Sequence, residues 1–341
     1  MATATRTVTP VRLSPVRHYA PRFGVYVLGA AVLAAVSAVV PRFASPYIVQ
    51  IAVIIGCNII LAVSLNLVNG FAGQFSIGHA GFMAIGAYTT AKISVEFGEK
   101  WLSGYAGTPS EAVITSAYMI PLMLIGGLFA AFAGLLVGLP SLRLRGDYLA
   151  IATLGFGEII RVLLLNTDAV GGATGLTGIP QYSNLFLVFG AAIITIIAIR
   201  NLMNSTHGRA ILAVREDETA AEALGIDCAH YKTAAFVIGA FFAGVAGCLY
   251  GHYTQYLHPR SFDFMKSIEL VLIVVLGGGS IRGVIIAAIV MTFLPEGLRK
   301  VKDVLNLQTD PRMVIYASLL IGVMLVRGRK RARKRGGGAS G

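Results

Sequence analysis

The sequence predicts an all-α polytopic membrane protein of about eight to ten transmembrane helices, some of them broken or re-entrant. Three observations predict it. The chain is 56% hydrophobic and only 13% charged, about half the charge of a soluble globular chain. Its apolar runs are continuous and reach the roughly 17 to 25 residues that a membrane helix needs. They do not alternate as barrel strands do. Finally, arginine and lysine gather before the first run, after the fourth and sixth runs and in the C-terminal tail, which the positive-inside rule places on one side.

The runs follow one another along the whole chain. They lie at 24–40, 47–68, 77–96, 113–138, 147–166, 185–203, 232–257, 267–277, 281–298 and 312–326. The run at 267–277 is short for a full crossing and reads as a candidate re-entrant segment. The expected organisation is a cytoplasmic N-terminal segment 1–23, a transmembrane domain 24–326 and a disordered basic tail 327–341. Arg6, Arg12, Arg17 and Arg22 precede the first run. That layout mimics a signal peptide, but so many spans follow that a retained helix is expected. Arg143 and Arg145 follow the fourth span, and Arg209, Arg215 and Lys232 follow the sixth. With a cytoplasmic N-terminus, these loops and the tail share the cytoplasmic side. The tail, with Arg327, Arg329, Lys330, Arg331, Arg333, Lys334 and Arg335, directly follows an apolar run. It therefore reads as facing anionic lipid, and not nucleic acid. Cys57, Cys228 and Cys248 have no metal-like spacing and imply no disulfide.

Two segments depart from a smooth span. "LNLVNGFAGQFSIGHAGFMAIGAYTTA", Leu65 to Ala91, carries Asn66, Asn69, Gln74, Ser76 and His79 among closely spaced glycines. "LIVVLGGGSIRGVIIAA", Leu272 to Ala288, repeats the pattern in the second half of the chain. Gly-interrupted segments in both halves point to a transporter's permeation site. Close helix packing is the competing use of glycine. Candidate pathway residues are Gly73, Gln74, Ser76, Gly78 and His79, with Phe71 to Gly86 as the lining or gating stretch. Gln74, Ser76 and His79 offer hydrogen bonds without placing a permanent charge in the bilayer. A polar helix–helix contact with another membrane chain is the other reading of this segment. Glu158 and Arg161 lie inside the fifth span, three residues apart, so they share a helix face. They read as an ion pair at the pathway or at a helix–helix contact. Glu269 is a second intramembrane acid.

The polar loop 204–231, "NSTHGRAILAVREDETAAEALGIDCAHY", is too long for a minimal connection. Arg215 to Leu224 reads as one short helix. Glu216, Asp217 and Glu218 suit its N-terminal end, and Gly225 suits a left-handed cap. Ala220, Ala221, Ala223 and Leu224 are expected to form a flat apolar surface for a protein partner. The acidic start argues against resting on anionic lipid.

Some chemistry is missing. The chain has no G-x-x-x-x-G-K-[ST] phosphate loop, no H-E-x-x-H, no C-x-x-C and no EF-hand pattern. Ser76 lacks the G-x-S-x-G elbow of an intramembrane hydrolase, with Phe75 before it and Ile77 after it.

Five motifs carry a resemblance: "GFAGQFSIGHAGFMAIGAYTTA", "LRLRGDYLAIATLGFGEIIRVLLLN", "GGATGLTGIP", "GRAILAVREDETAAEALGID" and "LPEGLR". Together, and in this order over residues 47 to 300, they resemble the LivM-type permeases of branched-chain amino acid ABC transporters. The resemblance implies ABC importer permease architecture in a bacterial or archaeal cytoplasmic membrane. It implies a LivH-type sister permease, two cytoplasmic ATPases and an extracytoplasmic binding protein as partners. It implies no cofactor on this chain, since the ATPases use the ATP, and no enzymatic activity. The loop helix resembles the EAA-type coupling helix that docks on the ATPase. That carries a coupling role to Arg215, Glu216, Asp217, Ala221, Glu222 and Gly225. One departure is the glycine turn Gly277-Gly278-Gly279-Ser280, a residue shorter than the family's, followed by Arg282. Related permeases carry urea or other small amides, so the spans leave the substrate open. The rival class is an ion-driven secondary transporter, which would use Glu158 as its coupling carboxylate.

Overall fold

A computed structural model describes residues 44–98, 111–141, 147–305 and 318. The expected span 24–40, the span 312–326 apart from residue 318, the segment 1–23, the tail 327–341 and the loop arginines 143 and 145 lie outside the described residues. Among the described residues the chain is helical, without strands, and its one extended pairing is an isolated bridge between Leu176 and Leu257. In order, the helices are α1 (Pro46–Asn66), α2 (His79–Ile93), α3 (Glu111–Ser141), α4 (Asp147–Leu165) and α5 (Leu185–Asn204). They continue as α6 (Thr206–Glu216), α7 (Glu218–Ala223), α8 (Cys228–Thr254), α9 (Phe264–Gly277) and α10 (Ile281–Leu305).

Among the described residues, five helical stretches are long and apolar enough to cross a membrane: Pro46–Phe71, Val113–Leu139, Tyr148–Leu165, Leu185–Asn204 and Cys228–Thr254. Each matches an expected span to within a few residues. α1 begins with Pro46 in its first turn, where the missing N–H costs nothing. α9 is short, with 14 residues, and at about 1.5 Å per residue does not reach the roughly 30 Å of a bilayer core. α2 has 15 residues and runs on through a π-helical stretch, Ser94–Gly98. α9 turns through Gly278 and Gly279, both at positive φ, directly into α10.

α8 is the central post and packs against α1, α2 and α3. The post is thin where it must be. A Cβ on Gly86 of α2 would lie 2.2 Å from the carbonyl oxygen of Gly244 in α8. A Cβ on Gly244 would lie 2.5 Å from the carbonyl of Gly126 in α3. Three helices therefore cross backbone to backbone, and dispersion replaces the hydrophobic drive that lipid removes. Here glycine does serve close packing.

α1 is buried by α8, α5 and α10. In contrast, α3 and α4 turn Leu128, Phe132, Ile151 and Leu163 outward. Such apolar faces suit lipid or a partner helix.

Candidate functional site

The interruption after α1 answers the polarity of the first departing segment. α1 runs into a π-helical turn, Leu67–Phe71, and the backbone then leaves helical geometry until His79. A broken helix strands backbone donors and acceptors, which are costly without water. Side chains take them up. Asn69 Nδ2 donates to the Ser76 carbonyl at 3.1 Å, and its Oδ1 accepts from Ser76 N–H at 3.1 Å. Thr153 Oγ1, from α4, accepts from Ile77 N–H at 3.1 Å. Ser267 Oγ, from α9, accepts from Ala80 N–H at 3.3 Å. Asn69, Thr153 and Ser267 were not among the expected site residues. Their signal is positional: small polar residues inside apolar runs facing a glycine-rich break.

The expected pathway residues divide into two groups. His79 is engaged inside the chain. Its Nε2 lies 2.9 Å from Ser64 Oγ, whose single proton is given to the Leu61 carbonyl at 2.9 Å. With that proton committed, Nε2–H of His79 is the donor to Ser64. Gly78 is also a packing residue, since a Cβ there would lie 2.3 Å from the Thr153 carbonyl. Gln74 and Ser76 differ. Both are buried, yet Gln74 Oε1 and Ser76 Oγ have no hydrogen-bond partner among the described residues. Leaving such a group unpaired costs about 1–3 kcal/mol.

The second interrupted segment comes to the first. Asn66 Nδ2 donates to the Gly279 carbonyl at 3.3 Å. A Cβ on Gly70 would approach Gly279 Cα to 3.4 Å. The two glycine breaks, about two hundred residues apart in sequence, therefore touch. The polar loop reaches the same place. Arg215 Nη1 donates to the Gly70 carbonyl at 3.0 Å. Gly73, at φ +68°, lies under the Arg215 side chain, where a Cβ would meet Cγ at 2.6 Å.

The loop itself departs from one helix over 215–224. α6 ends at Glu216, Asp217 is extended, and α7 starts at Glu218. The reason is local: the Asp217 carboxylate accepts from Ala220 N–H at 3.1 Å and caps α7. Arg215 and Glu216 belong to the C-terminal turn of α6. Gly225 takes the left-handed conformation, φ +83°. The expected alanine face is also corrected. Ala221 turns inward and packs with Val214 and Cys228. Outward stand Ala220, Glu222, Ala223 and Leu224, the last of them 81% exposed.

Glu158 and Arg161 pair with each other, Nε to Oε2 at 2.7 Å, on α4. No hydrogen bond joins them to Gln74, Ser76 or His79 among the described residues. A second intramembrane set was half seen in the sequence. Lys266 Nζ lies 3.1 Å from Glu269 Oε2 and 3.1 Å from Asn58 Oδ1. Asn58 Nδ2 in turn donates to Thr292 Oγ1 at 2.8 Å. This set ties α1, α9 and α10 together. Lys266 escaped the sequence reading because it precedes the apolar run by one residue.

At the far end of α8 from this loop, the glycine-rich connection after α4 forms a cap. Tyr256 OH donates to the Thr174 carbonyl at 2.9 Å, next to the Leu176–Leu257 bridge.

Several apolar helices, two touching interrupted segments and a polar loop fastened to them describe a multi-pass membrane permease. Residues 47–327 match the family model for the permease component of branched-chain amino acid transport systems. The chain belongs to that family. It is 36% identical to the high-affinity branched-chain amino acid permease LivM of Escherichia coli K12, over 84% of this chain and 69% of that protein. It is 26% identical to the probable LivM permease of Methanocaldococcus jannaschii, over 80% of this chain and 87% of that one. It is also 26% identical to LivH of Escherichia coli K12, over 78% of this chain and 88% of that one. No solved structure matches the chain.

Proposed function

We propose that the chain is the LivM-type permease subunit of an ABC importer for branched-chain amino acids in a prokaryotic cytoplasmic membrane. A LivH-type sister permease completes the pathway. Two ATPase subunits drive it from the cytoplasm, and an extracytoplasmic binding protein delivers the ligand. The chain binds no cofactor and does no covalent chemistry of its own. The observation that carries this reading is the junction of the two interrupted segments at Asn66 and Gly279, fastened to the loop by Arg215.

The chemistry supports it. Leucine at neutral pH is a zwitterion with an apolar tail. Its path needs weak polar partners for the head and apolar walls for the side chain. Gln74 Oε1 is a free acceptor for the ammonium, and Ser76 Oγ is a free hydroxyl for the carboxylate. Neither holds a charge that would trap the ligand. Glu158 and Arg161 already neutralise each other, which disfavours Glu158 as an ion-coupling carboxylate.

The test is purification from native membranes followed by uptake of labelled leucine in proteoliposomes with ATP. Two ATPases and a second permease are expected to co-purify. Gln74→Leu is expected to lower uptake about tenfold or more with the complex intact, the loss of a transition-state contact of about 1.4 kcal/mol. A chain that purifies alone and transports without ATP would overturn the ABC reading. Uptake of urea and not leucine would overturn the substrate.

A further inference from the structure

We propose that Arg215 is a positioning residue that ties the polar loop to the broken segment, passing loop displacement to the junction of the two interrupted segments. This rests on the reading of that loop as the ATPase-docking element, and it adds a specific route from the loop to the pathway.

Arg215 sits in the last turn of α6, two residues before the bend at Asp217. Its side chain points back into its own chain. Glu216 Oε1 accepts from Nε at 3.1 Å and also from Nη2, which sets the guanidinium plane. Nη1 is left to donate to the Gly70 carbonyl at 3.0 Å. The aliphatic stem lies on Gly73, where a Cβ would stand 2.6 Å from Cγ. Gly70 faces Gly279, whose Cα would stand at ordinary van der Waals distance, 3.4 Å, from a Cβ there. The order of contact is therefore loop, Arg215, Gly70, Gly279.

Each contact lands on backbone at a glycine. The Gly70 carbonyl belongs to the π-turn, and Gly73 is the left-handed residue after it. A charged hydrogen bond to a carbonyl at the edge of a non-helical stretch biases that stretch directly. Lysine cannot replace the planar fork, because one ammonium does not hold Glu216 and Gly70 in a fixed plane. The partner-facing residues, Glu222 and Leu224, lie on α7 and its end, so the docking surface and this tie are separate parts of one loop.

The test uses the whole importer with leucine-loaded binding protein. ATP hydrolysis and leucine uptake are read for wild type, Arg215→Ala and Arg215→Lys. In Arg215→Ala the ATPases are expected to co-purify and hydrolyse ATP at the basal rate, with uptake per ATP about tenfold lower. Arg215→Lys is expected to fall between that variant and wild type. Gly73→Ala is measured alone and in the Arg215→Ala background. It should cost less uptake in that background, because the side chain it crowds is gone. Uptake per ATP within about twofold of wild type in Arg215→Ala would overturn the proposal. So would additive effects in the double variant, or loss of the ATPases from Arg215→Ala, which would place Arg215 at the docking interface. ATPases missing already from the wild-type complex would instead overturn the ABC reading and this inference with it.

Discussion

Asn69 shows how much one side chain decides here. Its amide pairs with both backbone groups of Ser76, so one residue closes the loop between Leu67 and His79. Asn69→Ala should leave an N–H and a C=O of Ser76 unpaired, at about 1–3 kcal/mol for each buried group. Asn69→Asp keeps the acceptor and loses the donor, so it should fall between. Thermal unfolding of the purified complex in detergent reads the order; an alanine variant as stable as wild type would show that the loop does not need Asn69. At this scale the sequence was half legible. The polar residues stood out in an apolar run, and glycine beside them signalled a break. Their division of labour did not stand out. Gln74, Ser76 and His79 look alike in sequence, but of Gln74 Oε1, Ser76 Oγ and the His79 ring only the ring finds a partner among the described residues, and Ser64, which supplies it, lies fifteen residues earlier.

At the scale of the element, the loop 204–231 is two helices with a bend, because Asp217 caps the second in preference to lying inside one. This reverses the roles of two residues. Ala221 is 2% exposed and anchors α7 to Val214 and Cys228, while Leu224 is 81% exposed. Leu224→Asp should therefore leave α7 folded and abolish co-purification of the ATPases. Ala221→Glu should unseat α7, because an unpaired charge in that contact costs several kcal/mol. Limited proteolysis of the loop separates the two: cleavage should rise in Ala221→Glu and stay at the wild-type level in Leu224→Asp. Equal cleavage in both would mean that Ala221 does not hold the helix. The five membrane-length spans among the described residues were legible to within a few residues, since hydrophobic length is a local property.

For the whole molecule, the helix order puts the loop at one end of α8 and the Tyr256–Thr174 cap at the other. An odd number of crossings separates them, α8 alone in the direct connection. Cysteine placed at Thr219 should label only from the cytoplasm, and cysteine at Thr177 only from outside, in intact cells against inverted vesicles. Labelling of both from one side would overturn the assigned topology. The outward apolar faces of α3 and α4 leave room for lipid and for a second permease on the same molecule.

The five membrane-length helices among the described residues and the two glycine-interrupted segments were readable along the chain, because burial length and backbone freedom belong to short stretches. That the two interruptions touch, that Arg215 reaches Gly70 across 145 residues, and that Gly86 and Gly244 serve packing while Gly70 and Gly73 serve the site were not. Those depend on which backbones come within a few ångströms once α8 and α9 pack against α1, and no local pattern carries that distance.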